Sequence, residues 1–270
     1  MSQMVALLIA TLSYKENYLA MDICRLCNKK ADFQRSHIVP SSLFKSVKAG
    51  EPQLYVFEEH TRPVYRNVDP KERLLCRNCE QFLSSNYEQY GTALTRKPKN
   101  VIKHKEHIEF KKFNYKKWYL YYLSILWRAS ISSLKEFSSI ELGDLAAVLK
   151  KCIWDNELHL GDGFSLDDFI VITMFRVIDK SSRIEDSAIK NIMLNPVRID
   201  DGDDVLFFFM ANGFLIQYRL NKIHIEQLRY EKIRRTDSDR GMQRFVRKLD
   251  ITESAFLVDN FNWLIEKVKS

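Results

Sequence analysis

Apolar residues are arranged differently along the two parts of the chain. From Asn114 to about Ser133 they crowd together, and "WYLYYLSILW" (Trp118–Trp127) is bracketed by Lys117 and Arg128. About 20 apolar residues are needed to cross a bilayer, so this run predicts a buried helix and not a membrane anchor. "SSIELGDLAAVLKKCIWDN" predicts a second helix, capped by Ser138 or Ser139 with acids in its first turns. The pattern then changes. "FIVITMFRVI" is β-branched and aromatic, which predicts a strand. "DDVLFFFMANGFLIQYRL" predicts two strands around Asn212-Gly213, a dipeptide suited to a tight hairpin. "ITESAFLVDNFNWLIEKVKS" predicts a closing helix with Thr252 as its cap.

Residues 21–95 read as shorter pieces. "LYVFEE" and "VYRNV" each predict a short strand. "CEQFLSSNYEQYGTAL" predicts a helix with Phe82, Tyr87 and Tyr90 as packing residues. "TRKPKNVIKHKEH" is basic and contains proline, as a connection between modules would. The expected class is α+β. A small module over 21–95 and a connection over 96–113 precede a helix-rich domain with an antiparallel sheet over 114–270. Residues 1–20 hold a short apolar run with no basic residue before it and no clear cleavage site. They are expected to be a non-native or disordered extension, with translation beginning at Met21.

Hydrophobic residues make up 46% of the 270, enough for a substantial core, which argues against wholesale disorder. The formal net charge of +7 is unevenly placed: residues 21–112 carry 18 Lys and Arg against 11 Asp and Glu, whereas residues 113–270 carry 23 of each. A basic module beside a neutral one predicts a polyanionic partner, DNA in the first instance, for the basic part.

Five cysteines do not make a disulfide scaffold. Cys152 stands alone in a helical context and reads as a small buried hydrophobe. The other four, Cys24, Cys27, Cys76 and Cys79, are spaced C-x2-C-x48-C-x2-C. Each C-x-x-C forms a tight knuckle, and two knuckles complete a tetrahedral, all-thiolate zinc site with no open position. Such a site is structural and points to a reducing cytoplasm. It leaves His37, in "SHIVP", either to pack or to do chemistry.

Taken in order, Cys-x-x-Cys, Ser-His-Ile-x-Pro and Leu-Leu-Cys-x-x-Cys-Glu resemble the zinc-knuckle branch of the HNH, or ββα-metal, endonucleases over roughly residues 21–95. The resemblance implies a general base at His37, which takes a proton from the water that attacks a phosphodiester. It also implies a divalent ion, Mg2+ or Mn2+, beside it. Ser36 stands where the family has a metal-binding Asp, Lys71 where it has Asn, Glu80 where it has the last His, and Glu72 where it has a framework Leu. Glu80 is a hard oxygen donor suited to Mg2+, and Asp69 or Asn67 can supply a further ligand. Lys71 can stabilise charge developing on phosphorus. Arg35, Lys45, Lys48, Arg73 and Arg77 surround the motif and suit phosphate contacts. The blander roles are a backbone contact at the strand corner for His37 and a favourable charge at the helix N-terminus for Glu80. On those roles the module only binds nucleic acid, or serves as a subunit in an assembly such as a phage-defence system.

Other candidates carry less. Glu88 is expected at the surface, "HKEH" (His104–His107) on a surface element, and "DDGDD" (Asp200–Asp204) in an acidic turn. No Gly-rich phosphate loop is present, so nucleotide hydrolysis is not suggested.

Overall fold

The computed structural model describes residues 23–48, 54–57, 64–66, 70–201, 204–220 and 235–268. The first elements among the described residues are β1 (Phe33–His37), α1 (Ser41–Lys48), β2 (Leu54–Phe57), β3 (Val64–Arg66) and β4 (Lys71–Cys76). Helix α2 (Arg77–Leu83) runs through a wider π-helical turn, Ser84–Glu88, into α3 (Gln89–Arg96). β5 (Val101–Lys103) and β6 (His107–Phe110) precede the long helix α4 (Tyr115–Ser130) and then α5 (Leu145–Asp155). A small hairpin of β7 (His159–Gly161) and β8 (Phe164–Ser165) leads to β9 (Ile170–Ile178). β10 (Ile192–Asp201), β11 (Asp204–Ala211), β12 (Phe214–Leu220), β13 (Phe245–Asp250) and α6 (Ala255–Val268) follow.

Nine strands form one sheet in the order β3-β2-β10-β11-β12-β9-β13-β6-β5. The expected α+β class is observed. The sheet is antiparallel at most pairings but parallel at β2/β10 and β9/β13. At its centre, the β11–β12 turn has Asn212 at φ 53° and Gly213 at φ 73°, the left-handed pair that a two-residue hairpin requires.

Several sequence expectations need correction. β2 and β3, expected within the first module, extend one edge of the large sheet through β10. The stretch expected as a basic connection supplies β5 and β6 at the other edge, because Ile108 and Phe110 turn a buried apolar face inward. α5 begins at Leu145, not near Ser138: a 3-10 turn at Lys135–Phe137 and Gly143 at φ 52° break the helix before it. Thr252 is not the cap of α6. It lies in a 3-10 turn whose own cap is Asp250, and α6 starts after Ser254, whose hydroxyl accepts from the Leu257 N–H at 3.4 Å. Asp201 and Asp204 face each other where β10 meets β11, and the two residues between them lie outside the described set.

α4 lies in the core, with every residue from Trp118 to Ala129 buried. Three buried tyrosines on or beside it are tolerated there because their hydroxyls find carbonyls. Tyr119 donates to Ile170 at 2.7 Å, Tyr218 to Tyr122 at 3.0 Å and Tyr87 to Ile153 at 2.7 Å. Cys152 is buried, and burial pushes its thiol up to about 12, as befits an inert packing residue. One hydrophobic core runs from Cys24 to Val246, so the cysteine-bearing segment and the sheet share a single interior.

α3 approaches α4 closely at Gly91, where an added Cβ would overlap the Tyr121 ring. Gly91→Ala is therefore expected to destabilise the protein by about 1–3 kcal/mol through overpacking, despite alanine's better helix propensity. Denaturant melts of the two proteins would check this, and an equal or higher midpoint for the variant would refute the close approach.

Candidate functional site

The two cysteine knuckles form for local reasons. In the first, the Cys24 N–H donates to Lys29 O at 3.0 Å and the Asn28 N–H to Cys24 O at 2.9 Å, with Asn28 at φ 57° closing the turn. In the second, Cys76 ends β4 and Cys79 sits in the first turn of α2. Cross-links join them: the Arg25 N–H donates to Leu74 O at 3.0 Å, and the Cys76 N–H to Cys24 Sγ at 3.3 Å. All four sulfurs are free thiols within 4.8 Å of one another, and Cys24, Cys76 and Cys79 are buried. A hydrogen bond from Cys79, helped by backbone N–H groups, pulls Cys24 down to about 4 against its burial. The same bond and burial push Cys79 up. Four clustered sulfurs of this kind can hold a metal ion such as zinc, which would let all of them ionise.

β1 and β4, separated in the chain by α1, β2 and β3, pair antiparallel as a two-stranded ribbon with His37 opposite Lys71, Ser36 opposite Glu72 and Arg35 opposite Arg73. His37 and Lys71 are both half-buried at the end of the ribbon where the chain leaves β1 and enters β4. Ser36 is fully buried. Its Oγ accepts from the Leu75 N–H at 3.1 Å and its hydroxyl pairs with Glu80. Ser36 thus ties β1 to the helix. Burial raises the Glu80 pKa, opposed by Ser36 and by the charge of Arg128, and Glu80 Oε1 is buried with no hydrogen-bond partner among the described residues. Glu72 accepts from Ser132 Oγ at 2.7 Å, the Ser133 N–H at 2.9 Å and Ser133 Oγ at 2.6 Å, and so fastens β4 to the end of α4.

Arg128 is the member of the site that the sequence did not reveal. It is 1% exposed. Its Nε donates to Ser124 O at 3.2 Å, its Nη1 to His37 O at 3.0 Å, and Nη1 lies 2.9 Å from Glu88 Oε1. Its Nη2 has no hydrogen-bond partner among the described residues. Glu88, expected at the surface, is instead 19% exposed and faces this arginine. The cause is the π-helical turn, in which the Gln89 N–H reaches Ser84 O five residues back and buries Tyr87 beside Glu88. A charge at the end of an apolar run was the one available signal for Arg128, and it read equally well as a helix flank.

His37, Lys71 and Glu80 therefore belong to one neighbourhood, joined through Ser36 and Arg128. Arg35 and Arg73 are exposed neighbours across the ribbon, and Arg77 is exposed on α2. Lys45 and Lys48 lie on α1, but their side chains are outside the described set, as are Asp69 and Asn67 altogether. His104 and His107 stack at 4.3 Å on the sheet edge, and His104 is exposed. A cleft of about 550 Å³, lined by Ser42, Glu88, Thr92 and Arg96 among others, opens beside the site. Among the described residues no helix is long and apolar enough to cross a membrane. No family model matches the chain, and neither a curated protein nor a solved structure does.

Proposed function

We propose that the protein is a metal-dependent endonuclease of the HNH type that cuts phosphodiester bonds in DNA, with zinc in the four-cysteine cluster. The supporting observation is the order and joining of the parts. A two-stranded ribbon carries His37 at the end of β1, and its other strand, β4, passes through the third cysteine into a helix that carries Glu80. Arg128 and Ser36 hold the two together.

In this reading His37 accepts a proton from the attacking water, a task suited to a group that ordinarily titrates near neutrality. Arg128 fixes the His37 backbone and so the origin of the imidazole. Lys71, across the ribbon, offers positive charge to the phosphorane-like transition state. Glu80 would hold Mg2+ or Mn2+ through its orphaned oxygen, and the ion would neutralise phosphate charge. Arg35 and Arg73, two like charges directly opposite each other, are costly alone and are relieved by an anion such as a DNA backbone.

The test is a nuclease assay with Mg2+ or Mn2+ on the wild type and His37→Ala. Cleavage is expected to fall about 100- to 10,000-fold in the variant, with metal content and DNA affinity retained. Equal cleavage by the variant would remove His37 from the chemistry. A second reading, a nucleic-acid-binding module without catalysis, is favoured by one observation: the buried Arg128 already supplies a positive charge among His37 O, Glu88 and Glu80. Salt-sensitive DNA binding by the wild type, without cleavage under either metal, would select it.

A further inference from the structure

A second cleft, of about 470 Å³, lies where α3, β5, β9, the β11–β12 turn and β13 meet. Five cationic side chains line it, Arg96, Lys103, Arg176, Lys190 and Lys248, against the single carboxylate of Asp186. That carboxylate is already engaged: Arg176 and Lys190 both pair with it. The side chains of Arg96 and Lys103 are exposed and make no hydrogen bond or ion pair with the described residues. Among the described residues, the cleft thus holds a surplus of positive charge that is not neutralised.

The wall is built, not incidental. Arg176 is 8% exposed, and its Nη1 donates to Val177 O at 3.0 Å and to Gly213 O. Gly213 makes room for it, since a Cβ at that position would overlap the guanidinium. Lys248 is also positioned, donating to His104 O at 2.7 Å and Lys105 O at 3.0 Å. Between the cations the floor is apolar: Val101, Ile108, Ile178 and Phe214. The volume is that of a small-molecule site. A concave, low-dielectric floor under a cationic rim concentrates anions.

We propose that this cleft binds a phosphate-bearing ligand of nucleotide size, its phosphates on Arg96, Lys103 and Lys190 and its less polar body against the floor. The ligand is either a free nucleotide or one nucleotide of a strand, which share this chemistry. Lys103, Lys190 and Lys248 have no part in the His37 site, whereas Arg96 also lines the cleft beside it, so Lys103→Glu alone is the variant that separates the two sites.

The test measures equilibrium binding of two fluorescent probes to the full chain: a nucleoside triphosphate and a short single-stranded oligodeoxynucleotide. The proteins compared are the wild type, Lys103→Glu, Arg96→Glu with Lys103→Glu, and His37→Ala. Both charge reversals replace exposed side chains that make no hydrogen bond or close ion pair among the described residues, Lys103 having only a longer-range attraction to Asp186, and circular dichroism confirms that they fold. Binding is expected to weaken about tenfold or more in Lys103→Glu, further in the double variant, and not in His37→Ala. Triphosphate binding that Lys103→Glu weakens identifies a free nucleotide, and oligonucleotide binding that Lys103→Glu weakens, with no triphosphate binding, identifies a strand. If neither probe binds the wild type, or if the double variant binds both as tightly, the proposal is overturned. A loss confined to His37→Ala would also overturn it, because binding would then belong to the other site.

Discussion

Replacing Cys76 with serine is expected to release the metal and unfold the ribbon-helix region. Cys76 lies where β4 passes into α2, and its N–H donates to Cys24 Sγ, so it joins both knuckles and both strands of the ribbon. Metal binding to a four-cysteine cluster is worth on the order of 10 kcal/mol, and that free energy is also folding free energy. A typical domain is stable by only about 5–15 kcal/mol, so the loss is comparable to the whole margin. The damage should not stay local. Leu74, Leu75, Leu83 and Tyr87 share one core with α4 and the sheet, so unfolding the knuckles uncovers the long helix. The expected result is one metal ion per wild-type chain by elemental analysis, none in Cys76→Ser, and a variant that is aggregated or lacks a cooperative melt. A chelator should reproduce this in the wild type. Wild-type protein purified under reducing conditions that holds no metal and melts as the variant does would sink the expectation.

What the sequence revealed and what it hid divide along a physical line. The cysteine spacing, the Asn212-Gly213 hairpin and the apolar run of α4 are local signals, set by residues close in sequence, and each is seen in the fold. The partners of β2 and β13 were hidden because their parallel pairings join residues far apart in the chain. No local pattern distinguishes a short strand of a small module from an edge strand of a distant sheet. The same holds for the candidate site. His37, Lys71 and Glu80 were legible through a motif. Arg128 and Glu88 were not, because their meeting depends on a π-helical turn and on the docking of α4 against the ribbon. Ser36 stood out in the sequence as the neighbour of His37, but its role in tying Leu75 and Glu80 together needed the packed strands.

Arg128→Met is expected to cost about 3–5 kcal/mol, the usual penalty for breaking a buried ion pair from one side. Methionine fills much of the same space, so the loss is chiefly electrostatic. Glu88 would lose its cation, Glu80 would lose the nearby charge that favours its ionised form, and the carbonyls of Ser124 and His37 would each lose a donor. Arg128→Lys separates charge from geometry. Lysine restores the positive charge, but its single ammonium cannot reproduce the planar fork that reaches Ser124, His37 and Glu88 together. The lysine variant should therefore recover part of the stability, as read from denaturant midpoints. It should recover less of any His37-dependent cleavage, because the His37 carbonyl would no longer be held by a rigid donor. Full recovery of both by lysine would reduce Arg128 to a buried charge. No loss of stability in the methionine variant would show that the ion pair contributes nothing net, and would leave Glu72 as the contact that fastens α4 to β4.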